Sequence, residues 1–193
     1  MTLPPIVTEA YARAERAGFP LSCEPEVGAF LAVLAAAVRE EGRILELGTG
    51  VGVGTAWVVH GLDGRTDVEV ITVDLDEMVQ RTARQGTWPP CVRFLAGDGA
   101  ALVSTLGRFD LIFADAPGGK LTGLDRAIAA LAPCGLLLVD DMDLARQDDP
   151  ALRTALAAVR AALLANPALT VVELECGSGM MLGVAPFAPW PER

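Results

Sequence analysis

Seven short apolar runs punctuate the chain, and the stretches between them read as helices. The runs are RILEL (43–47), VEVITVD (68–74), VRFLA (92–96), FDLIFAD (109–115), GLLLVDD (135–141), TVVELE (170–175) and MMLGVA (180–185). The first five are continuously apolar rather than alternating, as strands covered on both faces are. Helices are expected over 6–17 and 25–39, before the first run, and over 54–61, 77–85, 99–105, 121–131 and 150–164. Pro150 suits a first helical turn, and Asn166-Pro167 suits a stop. The last two runs are joined by CGSG (176–179), which predicts an antiparallel hairpin. The expected fold is therefore α/β: a doubly wound, Rossmann-like seven-stranded sheet, mostly parallel, with one antiparallel strand near the C-terminus and helices on both faces. A chain of 193 residues fits one domain, 1–193, with the helices of 1–40 covering the site.

Composition narrows the function. With 52% hydrophobic and 21% charged residues the chain should fold rather than remain disordered. A net charge of -10 argues against a general nucleic-acid binder. No apolar run is long enough to span a bilayer, and the N-terminus lacks the charged-then-apolar order of a secretory signal. The four cysteines, Cys23, Cys91, Cys134 and Cys176, have no CxxC spacing and read as small buried hydrophobes, free thiols of a cytoplasmic protein. Of 15 basic residues only Lys120 is a lysine.

Ligands of doubly wound sheets bind beyond the carboxyl ends of the strands. Here those ends are 46–50, Asp74, Gly97-Asp98, Asp115 and Asp140-Asp141, so the expected crevice is acidic. The loop after the first run, ELGTGVGVGT, carries Gly48, Gly50, Gly52 and Gly54. A dinucleotide fingerprint needs glycine at the first, third and sixth positions, and the sixth is Val53 or Thr55 in the two registers. A phosphate loop needs Gly-Lys before Ser or Thr, and no lysine is near. The loop fits a ligand without phosphates, and positive charge on that ligand would suit the acids.

ELGTGVG, then VDLD and FLAGDG at the next two strand ends, resemble the class I S-adenosylmethionine-dependent methyltransferases. FDLIFADAPGGK followed by LAPCGLLLVDDM is similar to the O-methyltransferase branch that includes catechol O-methyltransferase-like enzymes. The resemblance spans roughly 25–185, nearly the whole chain. It implies S-adenosyl-L-methionine as cofactor. Glu46 would face its methionine end, Gly48, Thr49 and Gly50 would pass close to it, and Thr55 at the next helix start would hold its carboxylate. Asp74, followed by Leu75, would accept from the ribose hydroxyls, and Asp98, between Gly97 and Gly99, from the adenine amino group. Asp115 and Ala116 would complete the cofactor contacts. Asp74, Asp76 and Asp98 could equally be helix N-caps.

The same resemblance implies Mg2+ or another divalent cation held by Asp115, Asp140 and Asp141, since hard ions take oxygen ligands. Three departures stand out: Gly54 where the branch often has serine, Asp141 where it has asparagine, and Lys120 two places later than its usual lysine. Lys120 is the candidate catalytic base, because lysine, unlike arginine, can give up its proton in a protein. The expected reaction is O-methylation of a small hydroxylated, aromatic acceptor. The expected partners are that small molecule, no nucleic acid and no membrane, and a homodimer is admitted. A nitrogen-directed methyltransferase and a non-catalytic S-adenosylmethionine-binding protein remain the alternatives; DAPGG lacks the aromatic residue common in nitrogen enzymes. His60 is read as solvated or capping, and Trp57 as core.

Overall fold

A computed structural model describes residues 2–187. Seven strands form one sheet: β1 (Arg43–Leu47), β2 (Glu69–Asp74), β3 (Val92–Ala96), β4 (Phe109–Ala114), β5 (Leu131–Val139), β6 (Thr170–Leu174) and β7 (Met180–Val184). Their order is β3-β2-β1-β4-β5-β7-β6. β1 to β5 are parallel, and β7 runs antiparallel to both β5 and β6. The helices are α1 (Pro5–Ala17), α2 (Pro25–Ala36), α3 (Val53–Leu62), α4 (Glu77–Ala83), α5 (Gly99–Leu102), the single turn α6 (Pro117–Lys120), α7 (Leu124–Ala129) and α8 (Pro150–Leu164). The chain leaves β1 for β2 on one side and returns to β4 on the other, so the crevice opens above β1 and β4, where strand order reverses.

Alternation along each strand sends side chains to two cores. Ile44, Leu111 and Phe113 join α1, α2 and α3 on one face. Leu45, Ile112 and Leu137 join α8 and the segment of Val103 and Ala130 on the other. Trp57 is buried in the first core, as its place inside a helix suggests. β3, at the sheet edge, is only partly covered, unlike β1, β2 and β4 inside the sheet.

The expected helix over 121–131 is the main difference. Gly118 and Gly119 take non-helical angles, and Gly123 at φ 74° starts a fresh helix that stops at Ala129. Leu131 then pairs with Phe109 and opens β5. The segment 99–105 splits into α5 and a short 3-10 turn, and α2 and α4 end earlier than expected. Among the cysteines only Cys23 is buried; Cys134 and Cys176 are exposed.

Helices α2 and α3 meet closely because Gly61 lets the backbone of Ala32 approach: a Cβ on Gly61 would lie 2.2 Å from the Ala32 carbonyl oxygen. Alanine gains roughly 0.5–1 kcal/mol over glycine inside a helix, but overpacking against backbone costs about 1–3 kcal/mol. Gly61→Ala should therefore lower the urea midpoint, with m unchanged. A midpoint at or above that of the parent would show that the two helices can separate freely.

Candidate active site

The register of the sheet builds the floor of the site. Glu46 on β1 sits beside Thr72 on β2, and both face the α3 side. The Glu46 carboxylate is fully buried. Its Oε2 accepts from Thr72 Oγ1 (2.6 Å) and from Thr55 Oγ1 at the start of α3 (2.5 Å). Because Thr72 spends its single proton there, Thr49 must be the donor in the 2.6 Å contact between the two threonine hydroxyls. Gln80 of α4 donates to Thr49 in turn, at 3.2 Å. Every donor in this chain is thus aimed at one carboxylate oxygen. Burial pushes the Glu46 carboxyl up to about 7, offset in part by the bonds from Thr55 and Thr72 and raised further by Asp74. Its second oxygen, Oε1, is buried with no partner among the described residues.

Above this floor the glycine loop is held by β2. Gly48 and Thr49 N–H donate to the Val73 carbonyl, and Gly50 N–H donates to Asp74 Oδ2 at 2.7 Å. Gly48 has φ 113°, and a Cβ there would lie 2.8 Å from the Asp115 carbonyl, so this position suits glycine on both counts. Asp74 also accepts from Asp76 N–H (2.8 Å), while Asp76, not Asp74, caps α4. A cavity of about 290 Å³ lies here, bordered by Gly48, Thr49, Gly50, Gly54, Asp74 and Asp115 among others. Ala116 borders it too.

Not every anticipated contact reaches that cavity. Glu46 and Thr55 lie behind it, with the Thr55 hydroxyl committed to Glu46. Asp98 is exposed and caps α5 through Ala100 N–H (2.9 Å), with Gly97 and Gly99 beside it. Leu75 is exposed next to Asp74. His60 is exposed at the far end of α3, against Trp57.

A second cavity, about 470 Å³, adjoins the first. Asp115, Asp140 and Asp141 converge in its wall, one oxygen from each lying within 4.8 Å of the others. Asp140 accepts from Ser178 Oγ and from Asp141 N–H (2.7 Å). Asp141 takes φ 59°, a left-handed conformation that aspartate and asparagine tolerate better than most residues. Lys120 is buried, and its Nζ donates to the Asp140 carbonyl (3.1 Å) and to Asp141 Oδ2 (3.2 Å). Burial holds the Asp115 carboxyl well above its usual range, and the Asp140 charge adds to this while Lys120 opposes it. Burial likewise pushes Asp140 up to about 6, with Asp141 adding and Ser178 opposing.

Six residues border both cavities: Leu21, Ser22, Cys23, Asp115, Ala116 and Pro117. The first three come from the connection between α1 and α2, which no motif marks. Only their position between a helix end at Gly18 and the proline start of α2 could have pointed to them. Ser178 escaped notice for the same reason, since it acts from the β6–β7 turn. The second cavity also has an apolar lining, with Leu21, Leu121, Leu152 and Leu156.

The raised Asp140 carboxyl has a sign that can be worked out. A folded value near 6 against an unfolded value of about 3.9 means the native state binds the proton more tightly, so stability falls as pH rises through that window. In the presence of EDTA, Asp140→Asn should stabilise the protein by about 1–3 kcal/mol at pH 8 and by much less near pH 4. Denaturant titrations at both pH values check this. A loss of stability at pH 8 would mean that the ionised carboxylate is held by its neighbours rather than crowded by them.

Comparison with known proteins agrees with this geometry. A family model described as a methyltransferase domain matches residues 45–142. A Mycobacterium leprae protein described as an O-methyltransferase is 30% identical over 192 residues, covering 93% of this chain and 84% of its own. One from Mycolicibacterium smegmatis is 32% identical over 193 residues, covering 93% and 90%. The crystal structure of the O-methyltransferase TomG from Streptomyces achromogenes, in complex with S-adenosylmethionine, shares the fold: TM-score 0.80, 19% identity, 96% of this chain and 91% of that one. A Klebsiella pneumoniae structure gives a TM-score of 0.81 at 24% identity, covering 96% and 92%. The chain belongs to the S-adenosylmethionine-dependent O-methyltransferase family, on the class I methyltransferase fold.

Proposed function

We propose that the chain transfers the methyl group of S-adenosylmethionine to a hydroxyl of a small aromatic acceptor. The observation that carries this reading is the pair of adjoining cavities with Asp115 in the wall of both. The cofactor takes the glycine-loop cavity. Asp74 receives its ribose hydroxyls on lone pairs left free by Gly50 and Asp76. Asp98 and Leu75 lie toward the adenine, with Gly97 and Gly99 leaving room. The first turn of α3 lies by the methionine carboxylate, and Glu46 supplies negative charge from behind. The acceptor takes the second cavity, its ring against the leucines and its hydroxyl toward the acids.

Transfer is a single displacement: a lone pair of the acceptor oxygen forms the O–C bond as the C–S bond breaks, and that electron pair stays on sulfur. Holding both reactants close and in line can supply up to about 7–11 kcal/mol of the barrier. The acceptor must lose its proton, and Lys120 is the group placed to take it once it has passed its own proton to solvent; the ammonium re-formed in that step is paired by Asp141 as before. Asp115, Asp140 and Asp141 fit a divalent cation, being three converging oxygen donors whose mutual repulsion a single lysine offsets. Such an ion, bound by these three, would favour the ionised form of the acceptor hydroxyl.

Calorimetry should show S-adenosylmethionine and its demethylated product binding, with NAD and ATP inert. Asp74→Ala should weaken cofactor binding by about 1.5–3 kcal/mol through lost hydrogen bonds to a charged acceptor. Unchanged affinity would move the ribose elsewhere. Lys120→Met should leave cofactor affinity nearly intact and lower turnover by roughly 10²–10⁴, and Lys120→Arg should not restore it. A fully active Met variant would remove Lys120 from the chemistry. For the cation, a high-resolution soak without density among the three acids, with EDTA-insensitive turnover, would sink that part.

A further inference from the structure

Two observations meet behind the glycine-loop cavity. Glu46 Oε1 is buried without a partner, while Oε2 collects both threonine donors. Gly54, which borders the cavity, has no side chain for a reason the geometry supplies: a Cβ there would lie 2.2 Å from that same Oε1. The unpaired oxygen therefore sits directly behind the cavity wall, in space that serine or alanine at 54 would need. Leaving a buried carboxylate oxygen unpaired is costly when it is charged and much less so when it carries a proton. The donors aimed at Oε2 leave Oε1 as the atom to hold that proton.

We infer that Glu46 and Gly54 form a proton-linked anchor: when a cationic ligand enters above Gly54, Glu46 ionises and its proton is released to solvent. Glu46 is thus a positioning residue, acting across Gly54 rather than by contact. The inference rests on the reading of that cavity as the S-adenosylmethionine site, where the methionine ammonium supplies the positive charge. The neighbours agree with it. From α3 and β2 the hydroxyls of Thr55 and Thr72 donate to Glu46, and the Thr55 backbone N–H adds a weaker pull toward its ionised form. The charged or titratable groups that feel it are Asp74, Asp115 and Cys23, and none of them brings positive charge. Below about pH 7 Glu46 therefore stays largely protonated until the ligand arrives. The sign follows: affinity should fall as pH drops below about 7, by at most tenfold per pH unit for one linked proton.

The test is calorimetry of S-adenosylhomocysteine binding at pH 6.5 and pH 8, where the ligand's own ammonium keeps its proton, in buffers of different ionisation enthalpy, so that protons released per ligand are counted. The parent protein should release a substantial fraction of one proton at pH 6.5 and close to none at pH 8. Glu46→Gln, which keeps an oxygen for both threonines, should lose that fraction and bind with little pH dependence. Gly54→Ala, which displaces Oε1, should lose it as well, and this second variant covers failure of the first to fold. Difference infrared spectra should show a protonated-carboxyl band lost on binding in the parent and missing in Glu46→Gln. If the parent does not bind S-adenosylhomocysteine at either pH, the reading of the cavity fails. If it binds and Glu46→Gln releases as many protons as the parent, the cavity reading stands and the proton-linked anchor is overturned.

Discussion

The site hangs on one buried carboxylate. Glu46 joins β1, β2 and α3 through the hydroxyls of Thr72 and Thr55, and the relay continues through Thr49 to Gln80 on α4. Gln80 also donates to the Leu95 carbonyl and accepts from Arg84, so β3 is tied into the same chain of bonds. Burying an isolated charge in an apolar core is prohibitive, and burying it with directed donors is tolerable. The arrangement fixes where the glycine loop can run. Its N–H groups find β2 from above while Thr49 is gripped from below. The loop is a product of this anchor as much as of its glycines.

The second constraint is charge. Three carboxylates converge at the ends of β4 and β5, and one ammonium, Lys120, answers them. The raised carboxyls of Asp115 and Asp140 are the visible consequence. A core selected for stability alone would not keep such a cluster, so its cost is an argument for use. Because Asp115 borders both cavities, one carboxylate adds negative charge to the glycine-loop cavity and to the cavity of the acid cluster alike. Lys120 follows the Gly118-Gly119 break at the end of α6, where its Nζ reaches the Asp140 carbonyl and Asp141.

Strand positions were legible because the runs around residues 43–47, 69–74 and 109–114 are buried along most of their length and carry unbroken apolar stretches at Ile44-Leu45, Val70-Ile71 and Leu111-Ile112-Phe113. The acids at their ends were legible because fold topology sends strand ends to one crevice. What could not be read was direction. Sequence spacing places Glu46 and Thr55 at the cavity, yet their side chains turn toward each other behind it. Asp98 stands at the right strand end and spends one oxygen on a helix cap, an ambiguity that composition cannot resolve. Gly54 looked like a lost serine; only the position of Glu46 Oε1 shows what the missing side chain leaves room for. Leu131 reads as a helical residue, but its pairing with Phe109 is a contact between segments and leaves no local signal.

The wall shared by the two cavities has a mechanical character of its own. Near α1 it is pinned by a part-buried bond, Tyr11 Oη donating to the Cys23 carbonyl at 2.8 Å, with Trp57 Nε1 behind it donating to Tyr11 at 3.3 Å. Phe19 packs on Gly50, so the wall and the glycine loop touch directly. At its other end, Glu24 meets Arg146 in a two-pronged ion pair, and Arg146 also donates to the Gly177 carbonyl. That end is partly exposed, and a solvent-facing ion pair contributes little because water and salt screen it. The bonds near α1 are sheltered and cost more to break. Opening at the Glu24 end is therefore the cheaper deformation. It would uncover the second cavity, which Glu24 and Arg146 line, while leaving the segment at Phe19 seated on the glycine loop. With the two cavities assigned as proposed, an acceptor would exchange without loosening the glycine loop.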